Sequence, residues 1–158
     1  MSDIRDILKR ALPQADELAL DRFETYQRLL AEWNEKMNLT AITDPVEVAE
    51  KHFADSLAAL PYLKPGMRVV DVGTGAGFPG VPLLILAPEL DLTLADSLQK
   101  RLTFLDSLLK ELGLQADLVH GRAEDLGQNR LYRERFDAAL SRAVANLPVL
   151  LEIGRVHV

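Results

Sequence analysis

The 158-residue sequence contains no cysteine. This absence excludes a disulfide framework, a zinc site with thiolate ligands and a cysteine nucleophile. It also has no apolar run approaching the ~18 residues of a membrane-spanning helix. The first residues do not form the basic and then apolar pattern of a signal peptide. We therefore expect a cytoplasmic protein that spans no membrane, and nothing in the sequence predicts a metal site.

Positive charge is in short supply. Lysine and arginine number 18 against 24 aspartates and glutamates, so the net charge is −6. This balance argues against bulk electrostatic attraction to nucleic acid. It leaves room for an RNA substrate that is held by a local basic patch. The candidates for such a patch are Lys100, Arg101, His120, Arg122, Arg130, Arg133, Arg135 and Arg142.

The most informative stretch runs from Val69 to Gly80. It begins apolar and β-branched, as a buried parallel strand does, and then has four glycines within eight residues. A strand, a glycine-rich turn and a helix start form the nucleotide-binding corner of a Rossmann-like sheet. Glycine suits such a turn because it adopts positive φ and leaves room for a ligand on the backbone.

Two ligand classes compete for this turn. The dinucleotide pattern Gly-x-Gly-x-x-Gly fails when read from Gly73, because Phe78 stands at its third glycine, but it fits when read from Gly75. Asp71 precedes the first glycine, which is the S-adenosylmethionine pattern of class I methyltransferases. We expect its carboxylate to face the ligand side of the turn and to help hold the turn and the ligand's ammonium. An NAD(P)-dependent oxidoreductase remains the alternative.

Periodicity predicts an N-terminal helical region over residues 1–63. Its expected helices cover 3–12 with Ser2 as the N-cap, Leu18–Met37, and a third that begins in an Asp44–Glu47 capping box and is closed by Pro61. Residues 64–158 then alternate between strand and helix. The predicted strands are 68–72, 92–95, 116–119 and 136–140, and the predicted helices are 80–87, 98–112 and one beginning near residue 146. This alternation predicts an α/β fold with a parallel sheet.

Polar residues follow the carboxyl ends of the predicted strands, which is where open α/β sheets bind ligands. Asp96 ends the second strand about 20 residues beyond the glycine turn, where an acid accepts hydrogen bonds from ribose hydroxyls. Ala123 and Glu124 belong to the loop after the third strand, the usual cradle of an adenine ring. Arg142 follows the fourth strand. Four separate loops thus predict one nucleoside site.

These residues also carry a family resemblance. In order along the chain, the matching motifs are Trp33-Asn34, Asn38-Leu39-Thr40, His52 with Asp55-Ser56, Asp71 to Gly80, Asp96-Ser97 with Lys100-Arg101, Arg122-Ala123-Glu124 and Ser141-Arg142-Ala143. The sequence resembles the RsmG (GidB) family of bacterial 16S ribosomal RNA guanine-N7 methyltransferases. The resemblance implies a Rossmann-like class I fold, S-adenosyl-L-methionine as cofactor, and 16S ribosomal RNA or the small ribosomal subunit as partner.

The resemblance also implies which residues bind the cofactor. They are Gly73, Gly75, Phe78, Asp96, Ala123, Glu124 and Arg142. Asp96 would take the ribose, the Ala123-Glu124 segment the adenine, and Arg142 the methionine end of the cofactor or the incoming guanine. No acid–base residue is expected, because guanine N7 offers a lone pair and carries no proton. We predict a positioning role for Arg142.

Other methylation chemistries lack their residues here. Methylation at carbon 5 of a pyrimidine needs a cysteine nucleophile, and the sequence has none. Methylation of an exocyclic amine typically uses an Asn/Asp-Pro-Pro-aromatic tetrad after the fourth strand, where this sequence reads Ser141 to Val144.

Class I methyltransferase sheets normally have seven strands, and only four are predicted here. Family members continue well beyond the length of this chain. We therefore expect the sequence to be truncated and the sheet to be incomplete. An inactive fragment that binds cofactor or RNA is a further alternative.

Overall fold

The computed structural model describes residues 3–128 and 135–142. Within them the helices are α1 Ile4–Ala11, α2 Glu17–Met37, α3 Pro45–Glu47, α4 Gly80–Leu86, α5 Gln99–Leu112 and α6 Ala123–Gln128. The strands are β1 Arg68–Val72, β2 Asp91–Asp96, β3 Asp117–His120 and β4 Ala138–Ser141. All four predicted strands are present, with ends shifted by no more than two residues. The helix predicted near residue 146 lies outside the described residues.

Acidic side chains cap the helices of the N-terminal region. Asp3 accepts a hydrogen bond from the Arg5 amide, so the cap of α1 is Asp3 and the prediction of Ser2 was wrong by one residue. Asp44 caps α3, as predicted, by accepting from the Glu47 amide at 3.1 Å. The Glu47 carboxylate pairs with Lys51 at 3.5 Å.

The stretch after α3 changes helical type. It winds as a π-helix over Val48–Ala54 and as a 3₁₀ helix over Leu57–Tyr62. Pro61 lies inside the 3₁₀ helix, which ends at Tyr62. The prediction that Pro61 closes the helical region was therefore wrong by one residue. The π-helical segment buries both His52 and Phe53 against the rest of the fold. Insertions of this kind are frequent at functional sites.

The sheet is parallel throughout, with strand order β3-β2-β1-β4. Val72 at the end of β1 lies opposite Ala95 of β2 and Ser141 of β4. Asp96 at the end of β2 lies opposite His120 of β3. The carboxyl ends of the four strands therefore meet at one edge, which is the arrangement that the sequence predicts.

One cluster of buried apolar side chains joins the N-terminal helices to the sheet. Trp33 of α2 meets Phe104 of α5 edge-on, with ring centroids 5.6 Å apart. On the opposite face of the sheet, Val70 and Val72 pack against a smaller group that includes Phe136. Among the helices in the described part of the chain, none is long and apolar enough to cross a membrane.

Candidate functional site

A cleft of about 320 Å³ lies across the carboxyl ends of β1, β2 and β3. Its lining residues are Val72, Gly73, Ala95, Asp96, Ser97, Gly121, Arg122, Ala123 and Glu124. Four of the seven predicted cofactor residues are thus brought together in one cavity. Gly73 follows β1, Asp96 ends β2, and Ala123 and Glu124 form the first turn of α6 and not a loop as predicted. The parallel register of the strands places the three segments side by side.

Asp96 is held rigidly at the floor of this cleft. One carboxylate oxygen accepts a hydrogen bond from the Gly75 amide at 2.8 Å, and the other accepts from the Leu98 amide at 2.9 Å. The guanidinium of Arg101 donates to both carboxylate oxygens, at 3.4 and 3.5 Å. Gly75 does not line the cleft but is tied to it through its bond to Asp96.

The four glycines of the loop serve different purposes. At Gly75, where φ is +59°, an added Cβ would meet nothing within 4 Å. At Gly77 it would come within 2.6 Å of the Tyr26 hydroxyl, and at Gly80 within 2.8 Å of an Asp71 oxygen. The run of four glycines in the sequence predicts a loop that makes room for a ligand. Two of them instead make room for the protein's own side chains.

Asp71 lies beneath the glycine loop with no exposed surface. One of its oxygens accepts from the Thr74 hydroxyl at 2.7 Å and from the Gly80 amide at 2.9 Å. The other oxygen has no partner among the described residues. Burial raises the pKa of this carboxyl to about 7, although both hydrogen bonds act in the opposite direction. Asp71 therefore holds the turn, as expected, and contact between its carboxylate and the ligand's ammonium stays a prediction.

The side chain of Phe78 belongs to the core and does not line the cleft. Its ring lies parallel to Tyr26 at 5.4 Å and to His52 at 4.3 Å, with 8° between the planes in each pair. Only 6% of its surface is exposed. Contact between Phe78 and a cofactor stays a prediction.

Arg142 lies at the end of β4, on the other side of β1 from the cleft. Its guanidinium donates to the Ser56 hydroxyl at 3.2 Å and to the Lys51 carbonyl at 3.3 Å. It also lies 3.9 Å from a carboxylate oxygen of Asp55 and 5.6 Å from the Phe78 ring centre. The predicted residues therefore form two groups, one in the cleft and one around Arg142, with the glycine loop between them.

His52 connects this second group to the loop before the π-helical segment. Its Nε2 lies 2.8 Å from the Thr40 hydroxyl, and its Nδ1 lies 3.5 Å from the guanidinium of Arg142. Burial, and then the charge of Arg142, lower the pKa of His52 to about 4. The neutral ring can then present an unprotonated Nδ1 to Arg142 and donate from Nε2 to Thr40.

The described residues include no group of three or more histidine, aspartate or glutamate side chains placed to hold a metal ion.

Sequence reasoning missed the contribution of Tyr26 and Thr40 to the site. Both lie far along the chain from the loops they contact, and no local spacing connects them. The run of motifs that includes Asn38-Leu39-Thr40 was the only sign that this part of the chain belongs to the site.

The GidB family, described as rRNA small subunit methyltransferase G, matches residues 19–157. A ribosomal RNA small subunit methyltransferase G of Desulfitobacterium hafniense is 56% identical over 134 residues, covering 84% of this chain and 56% of the relative. The protein of the same name in Alkaliphilus oremlandii is 50% identical over 157 residues, covering 95% of this chain and 66% of the relative. The chain thus spans roughly three fifths of the length of these relatives.

Solved structures agree on the fold. A SAM-dependent methyltransferase from Aquifex aeolicus aligns with a TM-score of 0.54 at 23% identity, covering 75% of this chain and 65% of that one. TehB from Haemophilus influenzae also gives a TM-score of 0.54 at 20% identity, covering 82% of this chain and 41% of that one. The Rossmann-like methyltransferase fold predicted from the sequence is confirmed.

Proposed function

The chain belongs to the GidB family of rRNA small subunit methyltransferase G proteins, and from this membership we propose that it transfers a methyl group from S-adenosyl-L-methionine to N7 of a guanine in 16S ribosomal RNA. The observation that carries the proposal is the cleft in which Gly73, Asp96, Ala123 and Glu124 meet. Its substrate would be naked RNA or the small ribosomal subunit, and its place of action the cytoplasm.

The residues of the cleft fit an adenosine. Its volume of about 320 Å³ lies at the lower end of the ~300–1,000 Å³ of small-molecule sites. Arg101 contacts both Asp96 oxygens at 3.4 and 3.5 Å, so ribose hydroxyls would take the place of these long contacts. The backbone around Ala123 and Glu124 offers polar groups to a purine edge. At Gly75 the loop surface is free of side chains. When bound, S-adenosyl-L-methionine would supply a methyl group on a positively charged sulfur.

The chain's own contribution is orientation. Arg142 is held by the Ser56 hydroxyl and the Lys51 carbonyl, so its guanidinium has a fixed position beside the glycine loop. From there it can hold a carboxylate or the edge of a guanine. Correct placement of two reacting groups can contribute about 7–11 kcal/mol to a rate. Since guanine N7 needs no deprotonation, no residue has to move a proton in the transfer.

Exposed basic side chains at the same edge support an RNA substrate despite the net charge of −6. Arg122 lines the cleft and is exposed, and Lys100 is exposed in the first turn of α5. Lys51 is 60% exposed beside Arg142. These side chains can pair with phosphates on either side of a guanine.

Transfer of labelled methyl from S-adenosyl-L-methionine to 16S ribosomal RNA tests the proposal, with the modified base mapped afterwards. Small subunits and naked RNA that lack the modification are offered separately. Label at guanine N7 supports the proposal, and label on another base or atom contradicts it. An Arg142→Lys variant is expected to lose most of the rate, because a lysine makes no bidentate contact. Transfer at the wild-type rate by that variant would remove the positioning role.

Two other functions were open from the sequence. Family membership does not favour an NAD(P)-dependent oxidoreductase. Calorimetry that detects binding of S-adenosyl-L-methionine but not of NADH would exclude this function. A fragment that binds cofactor or RNA without turnover would show heat of binding but no label on RNA. The two measurements together therefore distinguish all three functions.

A further inference from the structure

Helix α2 reaches the glycine loop through the side chain of Tyr26. Tyr26 is completely buried, and its hydroxyl donates to the backbone carbonyl of Ala76 at 2.6 Å. These two residues are 50 positions apart in the sequence. The hydrogen bond joins the N-terminal helices directly to the loop between Gly75 and Gly77.

Both the ring and the hydroxyl of Tyr26 pack closely against their neighbours. The Tyr26 ring stacks on Phe78 at 5.4 Å and tilts against Phe53 at 5.0 Å. A Cβ at Gly77 would sit 2.6 Å from the hydroxyl oxygen, so only glycine leaves it room. The loop backbone and the tyrosine therefore occupy adjoining space, and neither can shift alone.

We propose that Tyr26 is a positioning residue for the cofactor loop, in which its hydroxyl fixes the Ala76 peptide and so holds the loop in the form that receives the ligand. The proposal rests on the proposed function, because it takes this loop to be the one that contacts S-adenosyl-L-methionine. It adds a residue of the N-terminal helical region to a site that the sequence places entirely at the strand ends.

The loop needs such a tether because of its own composition. Gly73, Gly75 and Gly77 all have positive φ, and glycine retains the most conformational freedom of any residue when it is not held. The strand side is held by the bond from the Gly75 amide to Asp96 at 2.8 Å. The helix side is held by Asp71, which accepts from the Thr74 hydroxyl and the Gly80 amide, and by Tyr26 at the Ala76 carbonyl between them. A loop fixed at both ends before binding has less entropy to lose on binding, which increases affinity.

A role confined to core packing makes a different prediction. The ring of Tyr26 fills space between Phe53 and Phe78, and that contribution survives when only the hydroxyl is removed. Packing alone would therefore leave the affinity of the folded protein for its cofactor unchanged in a Tyr26→Phe variant. Positioning requires the affinity to fall.

The experiment compares wild type with Tyr26→Phe and with Tyr62→Phe as the matched control. Tyr62 is 80% exposed, so its hydroxyl deletion should have no effect. Affinity for S-adenosyl-L-methionine is measured by calorimetry, well below the melting temperature of each variant. We expect Tyr26→Phe to bind about three- to tenfold more weakly, the range for one net hydrogen bond. In the transfer assay the KM for cofactor should rise while kcat changes little.

A second readout does not depend on the ligand. The amides of Gly77 and Phe78 both donate to the Thr74 carbonyl, at 2.9 and 3.1 Å. In the ligand-free protein we expect these two amides to exchange with deuterium faster in Tyr26→Phe than in wild type, while amides of α5 keep their rates. Unchanged loop exchange, or equal affinity of wild type and Tyr26→Phe, would overturn the positioning role. A wild-type chain that binds no S-adenosyl-L-methionine would overturn the proposed function itself, and the cofactor role of Tyr26 with it.

Discussion

At the scale of single residues, Asp96 combines two tasks. It accepts from the Gly75 and Leu98 amides, and it is the predicted acceptor for ribose. An Asp96→Asn variant can keep one of the two amide bonds but loses the negative charge and one acceptor. We expect cofactor affinity to fall about 10- to 100-fold, as for hydrogen bonds to charged groups. Titration calorimetry measures the change.

The control for this variant is Asp106→Asn on α5. Asp106 is 55% exposed and pairs with Lys110 at 2.9 Å, well away from the cleft. Its substitution removes the same charge and should leave the affinity within about twofold, because exposed ion pairs contribute little. Equal losses in both variants would point to overall charge and would contradict a specific role for Asp96.

His52 and Asp71 should give the free energy of unfolding opposite dependences on pH. Folding lowers the pKa of His52 from 6.5 to about 4, so its contribution is complete above 6.5 and is lost as the pH falls towards 4. Folding raises the pKa of Asp71 from 3.8 to about 7, so its contribution is complete below 3.8 and is lost as the pH rises towards 7. The charged groups that face them are Arg142, Asp55 and Asp96.

Single substitutions should expose each half of this balance. With Asp71→Asn the free energy of unfolding should rise more steeply than in wild type between pH 4 and 6.5, because His52 still titrates. With His52→Asn the free energy of unfolding should fall relative to wild type as the pH rises from 4 to 6.5, because only Asp71 still titrates. The slopes change by at most about 1.4 kcal/mol per pH unit. Urea unfolding across this range measures them, and parallel curves for all three proteins would contradict the assignment.

At the scale of elements, the glycine loop is shaped by α2 as much as by the sheet. Gly77 has φ of +102° and an added Cβ would meet the Tyr26 hydroxyl, whereas Gly113 at the end of α5 has φ of +69° and open space around it. Gly113→Ala should cost about 1–2 kcal/mol of stability for its backbone conformation alone. Gly77→Ala should cost more, because the contact at 2.6 Å is added to the backbone strain.

A double-mutant cycle separates the two contributions at Gly77. In a Tyr26→Phe background the hydroxyl is absent, so Gly77→Ala should cost less there than in wild type. The relief is incomplete, because a methyl group of Val81 also lies 2.9 Å from the added Cβ. Thermal unfolding of the four proteins gives the coupling energy. Strict additivity would show that the loop and α2 do not interact through this hydroxyl.

Elements with a local signal could be predicted from the sequence. The four strands and α5 have strong apolar patterns, and Gly113 marks the end of α5 with the left-handed conformation expected of it. Asp96 was found from its place at a strand end. The short helix α6 was missed because Leu126 is the only buried residue described in it, so no apolar stripe repeats. The π-helical segment was predicted as ordinary helix, because over seven residues the apolar side chains of a π-helix and an α-helix have similar spacing.

Contacts between distant parts of the chain had no such signal. The position of Asp71 before the first glycine predicts that it holds the turn, but its complete burial and its bonds to Thr74 and Gly80 appear only in the fold. The spacing of Tyr26 in the sequence predicts only a member of the apolar stripe of α2. In the structure its hydroxyl donates to the Ala76 carbonyl of the glycine loop. Side-chain partners 50 residues apart depend on how the elements pack, which periodicity does not encode.

At the scale of the whole molecule, the helical region and the sheet share one core. Phe53 of the π-helical segment has no exposed surface and touches the rings of Phe23, Tyr26 and Phe78. Phe53→Ala should therefore destabilise the protein by about 3–5 kcal/mol. We expect one cooperative transition by circular dichroism, in wild type and variant alike. The two regions that the sequence separates between residues 63 and 64 would then unfold together.

Leu18→Ala is the matched control for this prediction. Leu18 lies on α2 and is 58% exposed, so its truncation should change stability by no more than about 0.5 kcal/mol. Two separated transitions, in which the helices melt before the sheet, would contradict a common core.

Trp33, the one tryptophan in the sequence, stands where α2 meets α5. Its indole lies edge-on to Phe104 in a partly buried setting, so tryptophan fluorescence reports on the contact between α2 and α5. A stopped-flow trace of emission during refolding would time the docking of the helical region on the sheet. The unmodified protein thus contains its own fluorescent probe for the refolding step that brings Tyr26 to the glycine loop.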